Sequence, residues 1–328
     1  MSDFETVAAS ELHTATPGPA GAPNAPGQPS DIGVPAKPNG SPGKPRSLAG
    51  DAWRDLRRNP LFWIAAVVAL LAILMAVVPR LFTPADPAAC NLNLQHHGAQ
   101  GAAIFGYDFQ GCDVYARAVY GARASLIVGG FAALTAGIIA VIVGMIAGFF
   151  GGWTDAVLSR VVDIVLGIPL LLAAIVVMGR VPSGHEKTRM AAVVLVLGLL
   201  GWTTAARVIR SSVITAKQQD YVQAARMLGA GNGRIMWRHI LPNSIAPVIV
   251  IITIALGSFI ATEATLSFLG IGLQAPTISW GISIDTGRQH MREAVTPLAV
   301  PSVFLALTVL AFIMLGDAIR DAFDPKLR

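Results

Sequence analysis

Six long apolar runs constrain this chain more than any other feature of its sequence. They lie near Leu61 to Val78, Ala124 to Phe150, Asp155 to Met178, Met190 to Val208, Ser244 to Leu269 and Pro297 to Leu315. At about 1.5 Å per residue, a helix of this length can cross a hydrocarbon core of roughly 30 Å. Only 13% of the residues are charged, which is too few for a soluble domain. The sequence therefore predicts an all-α membrane protein with six transmembrane helices.

The first 50 residues have a different composition from the rest of the chain. Proline, glycine, alanine and serine dominate them without apolar periodicity, which predicts a disordered tail. The start of the tail lacks the basic and apolar segments of a cleavable signal, so we expect the first transmembrane helix to direct insertion. An inside N-terminus places two thirds of the 24 lysine and arginine residues in cytoplasmic segments. The positive-inside rule therefore predicts that both termini are cytoplasmic.

The predicted organisation follows from these boundaries. Residues 1–50 form the tail, 51–82 the first transmembrane helix with its cytoplasmic flank, 83–120 an external loop, and 121–328 a five-helix core. Both cysteines, Cys90 and Cys112, fall in the external loop, where the compartment can be oxidising. This favours a Cys90–Cys112 disulfide, with two free thiols as the alternative. A zinc site with His96 and His97 is less favoured, because the spacing fits no common ligand pattern.

A long stretch between the fourth and fifth apolar runs, at about residues 211–243, is too apolar for a linker and too polar for a span. We call it the elbow. Tyr221 to Leu228 predicts a short helix, Gly229 breaks that helix, and Arg234 to Ile240 begins another turn. The pattern predicts a helix–turn–helix that lies along the membrane surface.

Small residues in the elbow indicate a close contact with another protein. Ala224 and Ala225 leave room for its approach, and Gly229 supplies a backbone bend that a Cβ atom would resist. The elbow therefore predicts a docking site for a cytoplasmic partner.

The elbow resembles the coupling loop, or EAA loop, of bacterial ABC import permeases. That loop reads Glu-Ala-Ala, three residues, glycine, then nine residues to Ile-x-Leu-Pro. The matching positions here are Gln223, Ala224, Ala225, Gly229, His239, Leu241 and Pro242. Gln223 replaces the glutamate and keeps its shape without its charge, while His239 replaces the first isoleucine. The His-x-Leu-Pro-Asn ending, which closes on Asn243, is similar to the dipeptide and oligopeptide subfamily.

Further stretches match the same subfamily, in order, after the tail. They are residues 106–108, 111–113, 120–126, 155–169, 263–270, 276–281 and 316–325. The resemblance implies a type I, MetI-like permease fold with a cytoplasmic coupling helix. Cys112 stands where the subfamily usually has arginine, and this replacement accompanies the extra Cys90, which supports the disulfide.

The resemblance implies a permease subunit that carries di- or oligopeptides through the bacterial cytoplasmic membrane. The expected partners are a second, homologous permease in a heterodimer, one or two ABC ATPase subunits, an external substrate-binding protein and the lipid bilayer, with no nucleic acid. We expect contacts with the ATPase from Gln223, Ala224, Ala225, Arg226, Gly229, His239, Leu241 and Pro242. ATP would be bound by the partners and the chain would need no cofactor, because no Gly-x4-Gly-Lys-Ser/Thr motif is present.

Other functions stay open at this point. Permeases of the same family for nickel chelates or haem are the nearest alternative. A channel or carrier without an ATPase would show an internal repeat or a cluster of intramembrane charges, and neither is evident. A membrane enzyme is disfavoured, because His185, His239 and His290 fall in separate loops without a catalytic motif. We therefore predict no catalytic residue and no metal site.

Two carboxylates lie in or near apolar runs, where acidic residues are candidates for function. Glu263 is a candidate for recognising a peptide amine in the pathway, and the alternative is a wetted or hydrogen-bonded helix end. Asp163 follows Arg160 by three residues and is expected to pair with it. Gly144, Gly148 and Gly152 have the four-residue spacing that lets one membrane helix pack closely on another.

Overall fold

The computed structural model describes residues 48–182 and 185–323, and this part of the chain is helical. The helices are α1 (Leu48–Arg58), α2 (Pro60–Val77), α3 (Val114–Phe150), α4 (Gly152–Leu166), α5 (Leu170–Met178), α6 (Glu186–Gly201), α7 (Thr203–Lys217), α8 (Asp220–Met227), α9 (Asn232–Ile235), α10 (Leu241–Asn243), α11 (Ile245–Phe268), α12 (Trp280–Gln289) and α13 (Thr296–Phe323). The prediction of an all-α chain is confirmed. The disordered tail, predicted for residues 1–50, lies outside the described residues except for its last three positions, which are helical.

Four of these helices, α2, α3, α11 and α13, are each long and apolar enough to cross a membrane. The third and fourth apolar runs are each two helices rather than one straight span. The pair α4 and α5 is bent by 73°, and the pair α6 and α7 by 43°. The described residues therefore hold four candidate spans, or up to six when each bent pair counts as one.

The two bends have local causes. Pro169 separates α4 from α5 in an extended conformation, as expected for a residue that lacks an N–H and disfavours helix before it. Between α6 and α7, the indole nitrogen of Trp202 donates a hydrogen bond to the carbonyl of Leu199 at 2.9 Å. That carbonyl would accept the N–H of Thr203 in a continuous helix, so the side chain interrupts the ladder.

The helix α3 begins at Val114, ten residues before the predicted start of the second run. The side chain of Asp113 caps it by accepting the N–H groups of Tyr115 and Ala116 at 2.8 and 3.2 Å. The predicted external loop, residues 83–120, therefore includes the first turns of α3, because this cap extends the helix beyond its apolar part.

Small residues bring α3 and α7 into close contact. A Cβ atom on Gly144 would lie 2.7 Å from the carbonyl oxygen of Ala206, and one on Gly148 would lie 2.8 Å from that of Arg210. The predicted close packing is confirmed at these two glycines. Gly152 has open space around it and begins α4 at a φ of +55°, so it takes no part. Helices α2, α6 and α11 also pack against α3, which is therefore the centre of the bundle.

Candidate coupling site

The elbow is attached to the end of α3. The amine of Lys217, at the end of α7, donates a hydrogen bond to the carbonyl of Phe149 at 2.5 Å. Two cations also lie over the ring of Phe149, with Lys217 Nζ at 5.6 Å and the guanidinium carbon of Arg226 at 5.8 Å from its centre. Cations over an aromatic face are attracted by the ring quadrupole. Both the beginning of the elbow and its first helix are therefore held at one residue of α3.

Gly229 ends α8 in a Schellman motif. Its φ is +80°, and its N–H donates to the carbonyl of Arg226 at 2.9 Å. The N–H of Ala230 donates to the carbonyl of Ala225 at 3.0 Å, which completes the motif. The predicted bend at Gly229 is confirmed, and the positive φ gives the physical reason for a glycine there.

The inner face of the elbow packs on the rest of the chain. Val222, Ala225, Ile235 and Ile240 are buried in the main hydrophobic cluster, together with residues of α3 and α7. Burial of a valine or isoleucine side chain contributes about 1.5–3 kcal/mol, and the methyl group of an alanine contributes less. These four side chains fix the position of α8 and of the turns that follow it.

The outer face of the elbow carries strongly exposed apolar side chains. Met227 and Leu228 are 83% and 88% exposed, and the ring of Trp237 is 61% exposed. Gln223 and Ala224 lie on the same side, one helical turn before Met227 and Leu228. An exposed apolar surface of this kind is typical of a protein interaction site.

The structure distributes the sequence-predicted residues over both faces. Those exposed on the outer surface are Gln223, Ala224, Arg226, Gly229 and Pro242, whereas Ala225 is buried and His239 and Leu241 are half-buried. The amide of Asn243 donates to the carbonyl of His239 at 2.6 Å. Ala225 therefore packs inside its own chain, and of the predicted small pair only Ala224 is open to a partner. The role of these residues in coupling stays a prediction.

Ion pairs join α4 to α7 just before the elbow. Arg210 donates two hydrogen bonds to the carboxylate of Asp155, at 2.5 and 2.6 Å. Arg207 pairs with Asp163 at 2.7 Å, while Arg160 approaches the same carboxylate only to 3.8 Å. The predicted Arg160–Asp163 pair is thus present, but the shorter contact of Asp163 reaches a different helix. A pocket of about 310 Å³ separates the two helices around these pairs.

Glu263 lies inside the bundle, at 0% exposure. Its Oε1 accepts a hydrogen bond from the hydroxyl of Ser267 at 2.8 Å, and that hydroxyl in turn accepts the N–H of Leu273 at 2.9 Å. The buried side chains of Ser125 and Ser279 lie beside the carboxylate. Glu263 is therefore hydrogen-bonded and covered by neighbouring helices, and its role in the pathway stays a prediction. In this conformation Glu263 has no surface that a substrate could reach.

The loop between α2 and α3 is closed by the predicted Cys90–Cys112 disulfide. Asp108 supports this closure, because its carboxylate accepts the N–H groups of Gln110 and Cys112 at 2.8 and 2.9 Å. The same carboxylate pairs with Arg117 at 3.0 Å. The free-thiol and zinc alternatives do not apply to bonded cysteines. Within the described ranges, no three His, Cys, Asp or Glu side chains come together as metal ligands.

Sequence reasoning missed the two large apolar side chains of the elbow with the highest exposed fractions. Met227 and Leu228 follow Gln223 and Ala224 by four residues each, so the helical period could have placed them on the same face. It also missed the buried Arg189, whose guanidinium donates to the carbonyls of Val181, Ile271 and Gly272. No local pattern indicates those partners, two of which lie more than 80 positions away in the chain.

Two segments of the chain match known protein families. Residues 140–328, which include the elbow, match the family described as binding-protein-dependent transport system inner membrane component. Residues 47–100 match the N-terminal transmembrane domain of oligopeptide transport permease C. These two segments together cover most of the described chain.

Three relatives resemble the chain over most of its length. The dipeptide transport system permease protein of Alkalihalophilus pseudofirmus is 36% identical, over 89% of this chain and 96% of that protein. The oligopeptide transport system permease protein of Bacillus subtilis is 36% identical, over 87% and 92%. The glutathione transport system permease protein of Pectobacterium atrosepticum is 35% identical, over 84% and 90%.

Proposed function

The chain belongs to the family of binding-protein-dependent transport system inner membrane components, and from that premise we propose that it is a peptide permease driven by ATP through its elbow. The observation that carries the proposal is the two-faced elbow. Its inner face is packed on α3 and α7, and its outer face presents Met227, Leu228 and Trp237. A partner that binds the outer face can therefore move the helices to which the inner face is fixed.

The energy would come from a cytoplasmic ATPase. A ligand shifts a conformational equilibrium only when it makes different contacts in the two states. An ATPase subunit that docks on the outer face and changes shape on binding ATP would provide such contacts. The displacement of α8 would pass to α3 through Phe149 and to α4 through the Arg210–Asp155 pair.

The proposed cargo is a di- or oligopeptide. The names of the most similar relatives, which are permeases for dipeptides, oligopeptides and glutathione, support this class. A nickel chelate or haem is the alternative within the same family. Competition for uptake of a labelled dipeptide by unlabelled tripeptides, haem and nickel chelates would separate these classes.

The proposed assembly contains a second, different permease, one or two ATPase subunits and an external binding protein. Both termini would lie in the cytoplasm, with the elbow on that side and the disulfide loop outside. Leu92→Cys in the loop should react with an impermeant maleimide in intact cells, whereas Met227→Cys should react only after the membrane is opened. The opposite labelling pattern would reverse the orientation.

The experiment that tests the assembly is purification through a tag on the C-terminus, followed by mass spectrometry. A second permease and P-loop ATPase subunits should purify with the chain. Leu228→Asp should release the ATPase and retain the second permease, because it places a charge in the outer apolar face. Leu92→Asp makes the same substitution at another strongly exposed leucine, in the disulfide loop, and is the matched control. A wild-type chain that purifies alone would contradict the proposal.

A further inference from the structure

A second pocket opens at the end of the bundle opposite the elbow, between the first turns of α3, the beginning of α6 and the loop before α12. Its volume is about 380 Å³, within the range of small-molecule sites. Its polar lining residues are Tyr120, Arg123, Glu186 and Thr277, and the remaining lining consists of Ala124, Ile127, Met190, Pro276 and Ile278.

The pocket carries one positive and one negative side chain from different helices. Arg123 lies on α3 and Glu186 in the first turn of α6, and both are exposed. Within residues 48–182 and 185–323, neither forms an ion pair, although five other ion pairs are present there. A small open site with two unpaired charges of opposite sign suits a ligand that itself carries both charges.

Thr277 supplies a third polar group. It lies in the loop before α12 and is only 6% exposed. Its hydroxyl oxygen is buried and has no hydrogen-bond partner in the described part of the chain. Buried polar groups without a partner are uncommon in native proteins and call for an explanation. A ligand in the pocket that bonds to this hydroxyl after a rotation of the side chain would provide one.

The walls of the pocket are held rigidly by buried contacts. Arg189 lies one turn after Glu186 on α6, and its guanidinium binds the carbonyls of Ile271 and Gly272 at 2.8 Å. Glu263 holds Ser267, which accepts the N–H of Leu273. The two contacts fix α6 and the segment after α11, so the loop with Pro276 and Thr277 has a defined place beside Glu186. Preorganised groups of this kind lower the cost of binding.

We propose that this pocket binds the transported peptide as a zwitterion, with Arg123 on its carboxylate and Glu186 on its ammonium group. The inference rests on the proposed peptide permease function and adds the residues that recognise the cargo. A guanidinium binds a carboxylate through two parallel hydrogen bonds. Ile127, Met190 and Ile278 then face the apolar side chains of the peptide, and Thr277 is available to a backbone amide. Glu263, the sequence-based candidate for the peptide amine, lies beneath the pocket and is a positioning residue.

The test measures binding and transport with the same preparation. The complete importer, purified through this chain, is placed in nanodiscs for equilibrium binding of tritiated Ala-Phe without binding protein or nucleotide. The same complex is placed in liposomes for uptake of Ala-Phe with binding protein and ATP. Arg123→Gln and Glu186→Gln remove one charge each. Arg80→Gln and Glu293→Gln remove exposed charges near the same end but outside the pocket, and serve as matched controls.

Arg123→Gln and Glu186→Gln should each weaken binding of Ala-Phe about tenfold or more, as expected when charge-assisted hydrogen bonds are lost. The two controls should bind as the wild type does. Amidating the carboxyl end of Ala-Phe should weaken its binding to the wild type. The wild type and Arg123→Gln should then bind the amidated peptide equally well. Acetylating the amine of Ala-Phe should weaken its binding to the wild type, and the wild type and Glu186→Gln should bind the acetylated peptide equally well. Such a match between one peptide terminus and one residue is expected only when the residue contacts that terminus directly.

Three results would overturn the inference. The first is a wild-type complex that transports Ala-Phe but does not bind it in the nanodisc assay. The second is wild-type affinity in Arg123→Gln and Glu186→Gln. The third is an equal loss for free, amidated and acetylated peptides, which would show that the two residues act on each other rather than on the cargo. A wild-type complex that takes up no peptide would instead overturn the proposed function.

Discussion

The two ends of the helix bundle are held by contacts of different kinds. At the elbow, four apolar side chains and two cations over Phe149 attach a short helix whose other face is open. At the opposite end, which we call the loop end (residues 79–113, 179–182, 185–190 and 269–279), the contacts are a disulfide and the buried polar groups of Arg189 and of the neighbouring Glu263. Buried polar networks fix a unique geometry, because each broken bond leaves an unpaired group. The loop end is therefore closed by bonded contacts, whereas the elbow keeps one face exposed.

The largest effect should come from Gly229→Asp in the elbow. Aspartate tolerates a φ of +80° better than most residues, so the main change is a negative charge beside Met227 and Leu228. We expect peptide uptake to be abolished while the amount of chain in the membrane, measured by immunoblot, stays normal.

Two controls sharpen this result. Gly229→Asn adds a side chain of similar size without a charge, and asparagine tolerates a positive φ, so most uptake should remain. Gly231→Ala adds a methyl group two residues away, at a φ of −70° and in open space, and should have no effect. Normal uptake by Gly229→Asp would remove the elbow from the mechanism.

At the loop end, Arg189→Met should give the largest loss of stability. It leaves the carbonyls of Val181, Ile271 and Gly272 without their donor, and unpaired buried groups cost about 1–3 kcal/mol. We expect the Tm of the purified complex to fall by several degrees. Arg288→Met, on α12, removes an exposed pair with Asp285 and a cation over the ring of Phe268, and should lower the Tm clearly less because neither contact leaves a buried group unpaired. Equal effects of the two substitutions would mean that the Arg189 contacts contribute little.

Cys90→Ser should have a smaller and more local effect. The disulfide closes a loop with a sequence separation of 22 residues, and loop closure of this length stabilises a fold by about 3 kcal/mol, here mainly through the loop itself. We expect faster cleavage of residues 91–111 by protease, with uptake close to that of the wild type. Wild-type protein treated with dithiothreitol should show the same cleavage rate. A large loss of uptake would show that the loop itself takes part in transport.

Glu263→Gln should have the smallest effect. The amide oxygen can still accept the hydroxyl of Ser267, and Oε2 has no partner in the described part of the chain to lose. The expected change in the free energy of unfolding is below about 1 kcal/mol. Glu263→Ala removes the acceptor and leaves a cavity, so it should lower the Tm clearly more. A severe defect in Glu263→Gln would show that the carboxylate charge itself is needed.

Much of this fold could be predicted from the sequence, because a helix that crosses a bilayer must be long and apolar, and hydropathy identifies such segments directly. The bend at Gly229 could be predicted too, since it depends on local backbone chemistry. The disulfide was predicted from the compartment of the loop together with the family resemblance.

Other features depend on residues that are far apart in the sequence. Asp163 makes its shorter ion pair with Arg207, 44 residues away, rather than with its neighbour Arg160. The burial of Glu263 depends on the helices around it, which bring Ser125 and Ser279 beside it. No local sequence pattern links residues 123, 186 and 277, so only the fold shows that they line one pocket.

Because α3 is long, a small tilt of this helix produces a large displacement at its end. A helix of 37 residues measures about 55 Å at 1.5 Å per residue. Its last turn carries Phe149, to which the elbow is fixed, and its first turns carry Tyr120 and Arg123 in the pocket. A rigid rod of this length that tilts by about 5° moves one end by roughly 5 Å relative to the other. A tilt of this size would displace a side chain at one end by more than the length of a hydrogen bond.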